Sequence, residues 1–444
     1  MFNWRKPTIF ALLYLTGSKI PHNLKEIKRI SKFSPKEIKN YQEEKLKKLL
    51  LHAQKSVPYY RRILKESRVV INGKVHLENF KRIPILTKDI IRREKENLYS
   101  RDHEKRKSYK NTSGGSTGEP VEFLQDSRYE AWNTANKLYF FKKLRKDVGE
   151  REIKLWGSDR DTLEGTMGAK EKLQNFLYNR TFLNTFDLTR DNFEAYTEKI
   201  HNYGPAGIWA YYDSMFEIAK YINKNRKTVY NPKTIVTTIG KLSNNMYKEI
   251  KKAFPHSMIV DQYGSRETGA LAIQFKEKGP LVLFPWSHVI EVIDEKGIRI
   301  FNKEGRICVT TLENYSMPLI RYEIGDLGIE NSHENINTLS LHEVTGRTFA
   351  HFIRQDGALV HAQFFVTLMF HRNWIKKFQF IQRGINDIFV KIQPSTDVVE
   401  NDIKDITRKI KKVMGKNCKI KWEFVRDIKP IKSGKYLYTI CEVK

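Results

Sequence analysis

The sequence predicts an α/β protein with a large N-terminal part and a small α+β unit at its C-terminal end. Three observations carry that reading. Between residues 207 and 263 strand-like and helical stretches alternate, which implies parallel strands joined by crossover helices. Beyond Gly279 the texture changes to short strands and turns, which suggests an antiparallel β region packed beside the sheet. About the last hundred residues carry a hairpin, a helix and a strand of their own.

The elements follow in chain order. Residues 9–16 (IFALLYLT), after Arg5 and Lys6, fall short of the ~20 apolar residues that span a bilayer. They run into GSKIPHN without a small-x-small cleavage site. They read as a short amphipathic or buried helix, with a peripheral membrane foothold as the alternative. In residues 35–64, Leu46, Leu49, Leu50, Ala53 and Val57 recur at helical steps, and Pro58 ends or kinks the helix. Thr87 stands as an N-cap before DIIRREKENL. Residues 207–212 form an apolar run, followed by the helical pattern Met215, Ile218, Ala219 and Ile222. Residues 234–239 are β-branched and strand-like. Ser243 caps a helix carrying Met246, Ile250 and Ala253, and residues 257–263 form the next strand. VIEVIDEKG, EGRICVTTL and PLIRYEIGD read as short strands. Near the C-terminus FQFIQRGINDIFVKI reads as a hairpin and KIKWEFV as a strand. Between them Val399, Ile403, Ile406, Ile410 and Val413 form one helical stripe.

Composition narrows the function classes. The 444 residues are 40% hydrophobic and 12% aromatic, enough for a sizeable core and against global disorder. The net charge of +29 suits nucleic acid, anionic lipid or an acidic small molecule, and equally a basic proteome. The basic residues are spread over the whole chain without a nucleic-acid motif, so no nucleic-acid partner is expected. Cys308, Cys418 and Cys441 show no metal-ligand spacing, and three cysteines exclude a disulfide framework. They fit a reducing compartment, and the expected location is cytoplasmic.

Four stretches could carry chemistry. In Ser113-Gly114-Gly115-Ser116-Thr117-Gly118-Glu119-Pro120, the glycines let backbone N–H groups converge and hydroxyls add donors, as a phosphate cradle requires. A flexible linker has the same composition, and no Walker Gly-Lys-Ser/Thr follows. Asp261-Gln262-Tyr263-Gly264-Ser265-Arg266-Glu267-Thr268-Gly269 ends a strand in an aromatic residue, a glycine and a polar turn. Ligands in α/β sheets bind beyond such strand ends. There Tyr263 could stack on a base and Glu267 could hold Mg²⁺ through oxygen. An ordinary exposed turn is the plain alternative. In Arg321-Tyr322-Glu323-Ile324-Gly325-Asp326 the aspartate could accept from ribose hydroxyls, or simply serve the turn. In Pro430-Ile431-Lys432-Ser433-Gly434-Lys435 the last lysine is either a solvated loop residue or a mobile charge that reaches another domain's site.

In this order the four stretches resemble the adenylate-forming enzymes, specifically the phenylacetate–CoA ligase-like branch, which includes proteins encoded with capsular polysaccharide genes. SGGSTGEP is similar to the phosphate loop, DQYGSRETG to the Tyr-Gly-x-x-Glu motif and RYEIGD to the Arg-Tyr-x-x-Gly-Asp motif. GRTFAHFIRQDGALVHAQFF, from Gly346, resembles the interdomain hinge, and PIKSGK the lysine motif of the C-terminal domain. HAQKSVPYYRRIL and PILTKDIIR resemble the N-terminal region of the branch, so the likeness runs from about residue 40 onward. Some positions depart from the pattern. Gly114 replaces a frequent hydroxyl residue, Ile239-Gly240-Lys241 stands for a Gly-Gly-Glu type segment, and Phe349 and Ala350 replace acidic residues after the hinge.

The resemblance implies a large adenylate-forming domain over residues 1–345 and a C-terminal lid over residues 346–444. It implies an AMP-forming acid–thiol ligase that uses ATP, Mg²⁺ and CoA. A carboxylic acid becomes an acyl-adenylate and is then passed to CoA, or to an amine or hydroxyl of a surface-polysaccharide precursor. Ser113, Gly114, Gly115, Ser116, Thr117 and Gly118 would hold phosphates. Gly240, Tyr263 and Gly264 would line the nucleotide site, Asp326 would fix the ribose, and Arg347 would support ribose or phosphate. Glu267, with Thr117, would hold the metal, and Lys435 would bridge carboxylate and α-phosphate. The acyl pocket is expected along residues 156–159 and 210–213 and at Tyr263. A basic nucleic-acid-binding protein is the distant alternative.

Overall fold

The computed structural model describes residues 3–113, 121–157, 169–185, 190–332, 339–345, 351–360, 362–369, 372, 374–428 and 438–443. A hairpin of β1 (Tyr109–Thr112) and β2 (Glu122–Gln125) precedes the main sheet. The sheet's parallel half is β3 (Glu152–Trp156), β4 (Arg180–Asn184), β5 (Gly207–Tyr211), β6 (Thr234–Thr238) and β7 (Met258–Ser265). Its antiparallel half is β8 (Gly269–Ile273), β9 (Leu281–Leu283), β10 (His288–Ile293), β11 (Glu304–Thr311), β12 (Tyr322–Glu330) and β13 (Ser340–Val344). Among the described residues these form one sheet in the order β10-β11-β12-β13-β9-β8-β7-β6-β5-β3-β4.

The expected alternation of strand and helix is therefore present, but the β region does not pack beside the sheet. It continues the same sheet edge to edge, through β7 with β8 and through Leu281 of β9 opposite Leu341 of β13. That last pairing joins segments distant in sequence, which local periodicity does not encode.

Every position of β5 and β6 is buried, as expected of central strands covered on both faces. Alternation divides their side chains. Ile208, Ala210, Ile235 and Ile259 pack under helices Tyr212–Lys224 and Asn244–Ala253. Trp209, Val236 and Val260 face helices Ile20–Ile30 and Ser127–Lys143. The second helix pair is absent from the sequence reading, although Asp126 caps Ser127–Lys143 by accepting from Tyr129 N at 2.8 Å. The predicted caps form: Thr87 accepts from Ile90 N and Ser243 from Met246 N. Pro58 separates helix Pro35–Ser56 from Pro58–Glu66. Helix Arg5–Leu15 buries Ile9 and leaves Leu15 83% exposed. No helix among the described residues is long and apolar enough to cross a membrane.

The C-terminal unit contains β14 (Ile375–Gly384), β15 (Asp387–Pro394), β16 (Lys419–Phe424) and β17 (Thr439–Cys441), in the order β16-β15-β14-β17. Helix Glu400–Met414 lays Ile406, Ile410 and Val413 on this sheet, in a core shared with Phe352, Phe365 and Phe380. Ile406, Ile410 and Val413 of the stripe read from the sequence, with half-buried Ile403, are this core's helical side, whereas Val399 precedes the helix as its N-cap residue and is exposed.

Candidate functional site

The hairpin β1/β2 fixes both ends of the Gly/Ser/Thr loop. Ser113 N donates to Val121 O at 2.9 Å, and Val121 N donates to Ser113 Oγ at 2.9 Å. Ser113 is buried and serves the hairpin as a latch. Gly114, Gly115, Ser116, Thr117 and Gly118 lie outside the described residues, as do Arg347 and Lys435 with the stretches around them. From β2, Gln125 Nε2 donates to Arg266 O at 2.7 Å, which ties the hairpin to the turn after β7.

That turn is closely built. A Cβ on Gly264 would stand 2.2 Å from Gly269 O, so only glycine lets β7 and β8 approach this closely. Buried His288 donates from Nε2–H to Thr268 O, 2.8 Å away, and burial pushes its imidazole down to about 4, so it stays neutral at neutral pH. The turn presents Glu267, which is buried. Its Oε1 accepts from Tyr322 Oη at 3.3 Å and lies 3.9 Å from Lys88 Nζ. Among the described residues its Oε2 takes no hydrogen bond or ion pair.

Strand β12 returns the tie. Tyr263 Oη donates to Asp326 Oδ2 at 2.9 Å. Glu267 and Asp326 thus stand at the C-terminal end of the parallel strands, cross-linked through Tyr322 and Tyr263. Arg321, which opens the third motif, serves structure. It is buried, donates to Lys81 O (2.7 Å), Ile83 O (2.9 Å) and Gly297 O (2.7 Å), and pairs with Glu291.

Gly240 follows Ile239, a β-branched residue held at φ +73°. A Cβ on Gly240 would meet the Tyr212 ring at 2.1 Å. Tyr212 Oη in turn contacts His351 Nε2 at 2.9 Å, and Asp213 lies 3.5 Å from the same nitrogen. Leu359 N donates to Glu217 Oε1 at 3.1 Å. Helix Tyr212–Lys224 is therefore where the C-terminal unit docks.

Beside the turn opens a cavity of about 500 Å³. Thr238, Ile239, Gly264, Ser265 and Arg266 border it at the strand ends, and Trp156, Trp209 and Tyr211 form its wall. Of the residues expected in the acyl pocket, Trp156 and Tyr211 line this cavity. Gly157, Ala210, Tyr212, Asp213 and Tyr263 do not, and positions 158 and 159 lie outside the described residues. Alternation explains the split, because Ala210 points to the opposite face of β5 from Tyr211. Sequence reasoning missed Lys88, Tyr129 and Lys137, and it gave Tyr322 no role of its own within the third motif. PILTKDIIR held Lys88 in view without a role, and nothing local marks Lys137.

The structure of 2-hydroxyisobutyryl-CoA ligase with 2-HIB-AMP and CoA, in the thioesterification state, matches this chain with a TM-score of 0.62. The match covers 93% of this chain and 91% of that one at 16% identity. The chain has the adenylate-forming ligase fold. The open conformation of the same ligase matches this fold with a TM-score of 0.56 at 15% identity, over 89% of this chain and 90% of that one. Residues 352–442 match the family described as CapK C-terminal domain. Protein CapK of Staphylococcus aureus is 25% identical over 438 residues, 95% of this chain and 93% of that protein.

Proposed function

We propose that this protein activates a carboxylic acid with ATP as an acyl-adenylate and then transfers the acyl group to CoA. The observation that carries the reading is the mutual tie of Glu267 and Asp326 through Tyr322 and Tyr263, at the strand ends and beside the cavity. In the first half-reaction a carboxylate oxygen attacks the α-phosphorus and pyrophosphate leaves. In the second, the acceptor attacks the acyl carbon and AMP leaves.

Such phosphoryl chemistry rests on positioning and charge neutralisation. Asp326 accepts from the ribose hydroxyls and Tyr263 orients it. The loop 113–118, Gly240 and Gly264 border the nucleotide. Lys435 and Arg347 bring positive charge from beyond residue 345 as the C-terminal lid closes. The site fits Mg²⁺ as such ions are held beside nucleotides, by one carboxylate and the phosphates themselves. Glu267 Oε2, with Thr117, would hold it, and the ion would screen the phosphates against the attacking carboxylate.

A second reading keeps adenylation and changes the acceptor to an amine or hydroxyl of a surface-polysaccharide precursor. It is favoured by the CapK likeness, which spans 95% of this chain. ATP–pyrophosphate exchange against a panel of carboxylic acids tests adenylation, with acid-dependent exchange expected. Absence of exchange with every acid would overturn it. AMP release with and without CoA then decides the acceptor.

A further inference from the structure

The cavity wall holds a row of rings. Trp156 lies 4.7 Å from Tyr211 and 5.2 Å from Trp209, centroid to centroid. Tyr211 ends β5 beside the turn, and Trp209 sits two residues deeper, ~7 Å at the rise of a strand. At this deep end Lys137 Nζ stands 5.3 Å from the Trp209 ring centroid. Lys137 comes from helix Ser127–Lys143 and lines the cavity.

Two of the three acidic residues on the cavity wall are already matched, and the third, Glu130, takes no ion pair among the described residues. Glu152 takes Lys146 at 2.6 Å and Arg180 at 2.8 Å, and Asp147 takes Lys6 at 2.8 Å and Lys142 at 2.7 Å. Lys137 has no carboxylate partner among the described residues. Burial and the nearby Arg180 guanidinium push its ammonium down to about 8, against the opposing pull of Glu152 and Glu130. Two donors on the same wall, Tyr129 Oη and Trp209 Nε1, are buried without a partner, while Lys137 is half-buried. Buried polar groups are nearly always satisfied, so a wall with two unmet donors, and with the ammoniums of Lys137 and Lys154 over its Trp209 ring, is built for an electron-rich group.

We propose that the acid activated here carries a second anionic group, which Lys137 binds at the deep end of the aromatic row, beside Trp209 and ~7 Å along the strand from Tyr211. The inference rests on reading the cavity as the acyl pocket and narrows the substrate to diacids and similarly charged acids. It makes Lys137 a specificity-determining residue.

Calorimetric titration compares two probe pairs, 4-carboxyphenylacetate with phenylacetate and adipate with hexanoate. Wild type should bind the diacid of at least one pair about tenfold more tightly, the scale of one charge-assisted hydrogen bond. Lys137→Met should erase that preference and leave the monoacid unchanged, while Lys137→Arg should keep it. A melting temperature near wild type establishes that Lys137→Met folds. Equal affinities in wild type for both pairs, or a preference that survives Lys137→Met, overturns the proposal. Pyrophosphate exchange is run separately with the same acids. Its absence overturns adenylation, while the binding difference still decides the role of Lys137.

Discussion

Under the proposed function Glu267 and Asp326 do different work, and their variants should separate. Glu267→Gln keeps the shape of the turn and removes a hard charged oxygen. It should melt like wild type and lose most Mg²⁺-dependent exchange; exchange near the wild-type rate would remove Glu267 from the site. Asp326→Ala loses charge-assisted bonds that contribute roughly 1.5–3 kcal/mol, so the apparent ATP constant should rise about 10- to 150-fold. An unchanged constant would return Asp326 to a turn residue. Asp261, which opens the second motif without a role of its own in the sequence reading, supports a pH prediction. Its carboxyl accepts from Thr237 and Leu242, and burial pushes it up to about 6. A raised acid stabilises the fold while protonated and loses that contribution as pH rises from about 4 to 6, by up to about 3 kcal/mol. Asp261→Asn should therefore gain in melting temperature relative to wild type across that window; a pH-independent difference would contradict it. At this scale the motif residues were legible and their partners were not. Tyr322 was read as part of a motif, but its hydroxyl reaches Glu267 only through sheet pairing that joins distant segments.

The elements were legible where one strip of sequence decides them. Thr87 and Ser243 carry the cap oxygen beside the helix they start. Val399, Ile403, Ile406, Ile410 and Val413 fall on one face whatever lies opposite, and the helix forms at Glu400–Met414. Helix Ser127–Lys143 was missed because it is apolar on much of its surface, burying Tyr129, Trp132, Tyr139, Phe140 and Phe141. Such a helix shows little periodicity. Gly240 illustrates a residue whose reason lies on another element. Its position against the Tyr212 ring gives it a packing role beside any contact with nucleotide. Gly240→Ala should cost about 1–3 kcal/mol by overpacking, seen as a lower melting temperature. It should also disturb the His351 contact that Tyr212 makes. A variant that melts like wild type would show that the ring yields freely.

At the scale of the whole molecule, the order of motifs made the adenylate-forming fold legible, but not the relation of the two units. The C-terminal unit has its own core and docks through His351 and Leu359 on helix Tyr212–Lys224. A reaction in two halves can use two placements of such a unit, and Lys435 tests this. If it is a solvated lysine, its removal should change little, since surface substitutions stay within about 0.5 kcal/mol. If the lid carries it to the α-phosphate, it meets charge that develops only in the transition state. Its loss then lowers rate with little change in ATP affinity. One such donor is typically worth about 10²–10³ in rate. Lys435→Ala should bind ATP nearly normally, melt near wild type and fail in pyrophosphate exchange. Given a preformed acyl-adenylate, it should still complete transfer, because that step uses the other placement. Lys432→Ala is the internal control and should be close to silent. Equal behaviour of the two variants in exchange would remove Lys435 from the first half-reaction and leave the moving lid without its chemical purpose.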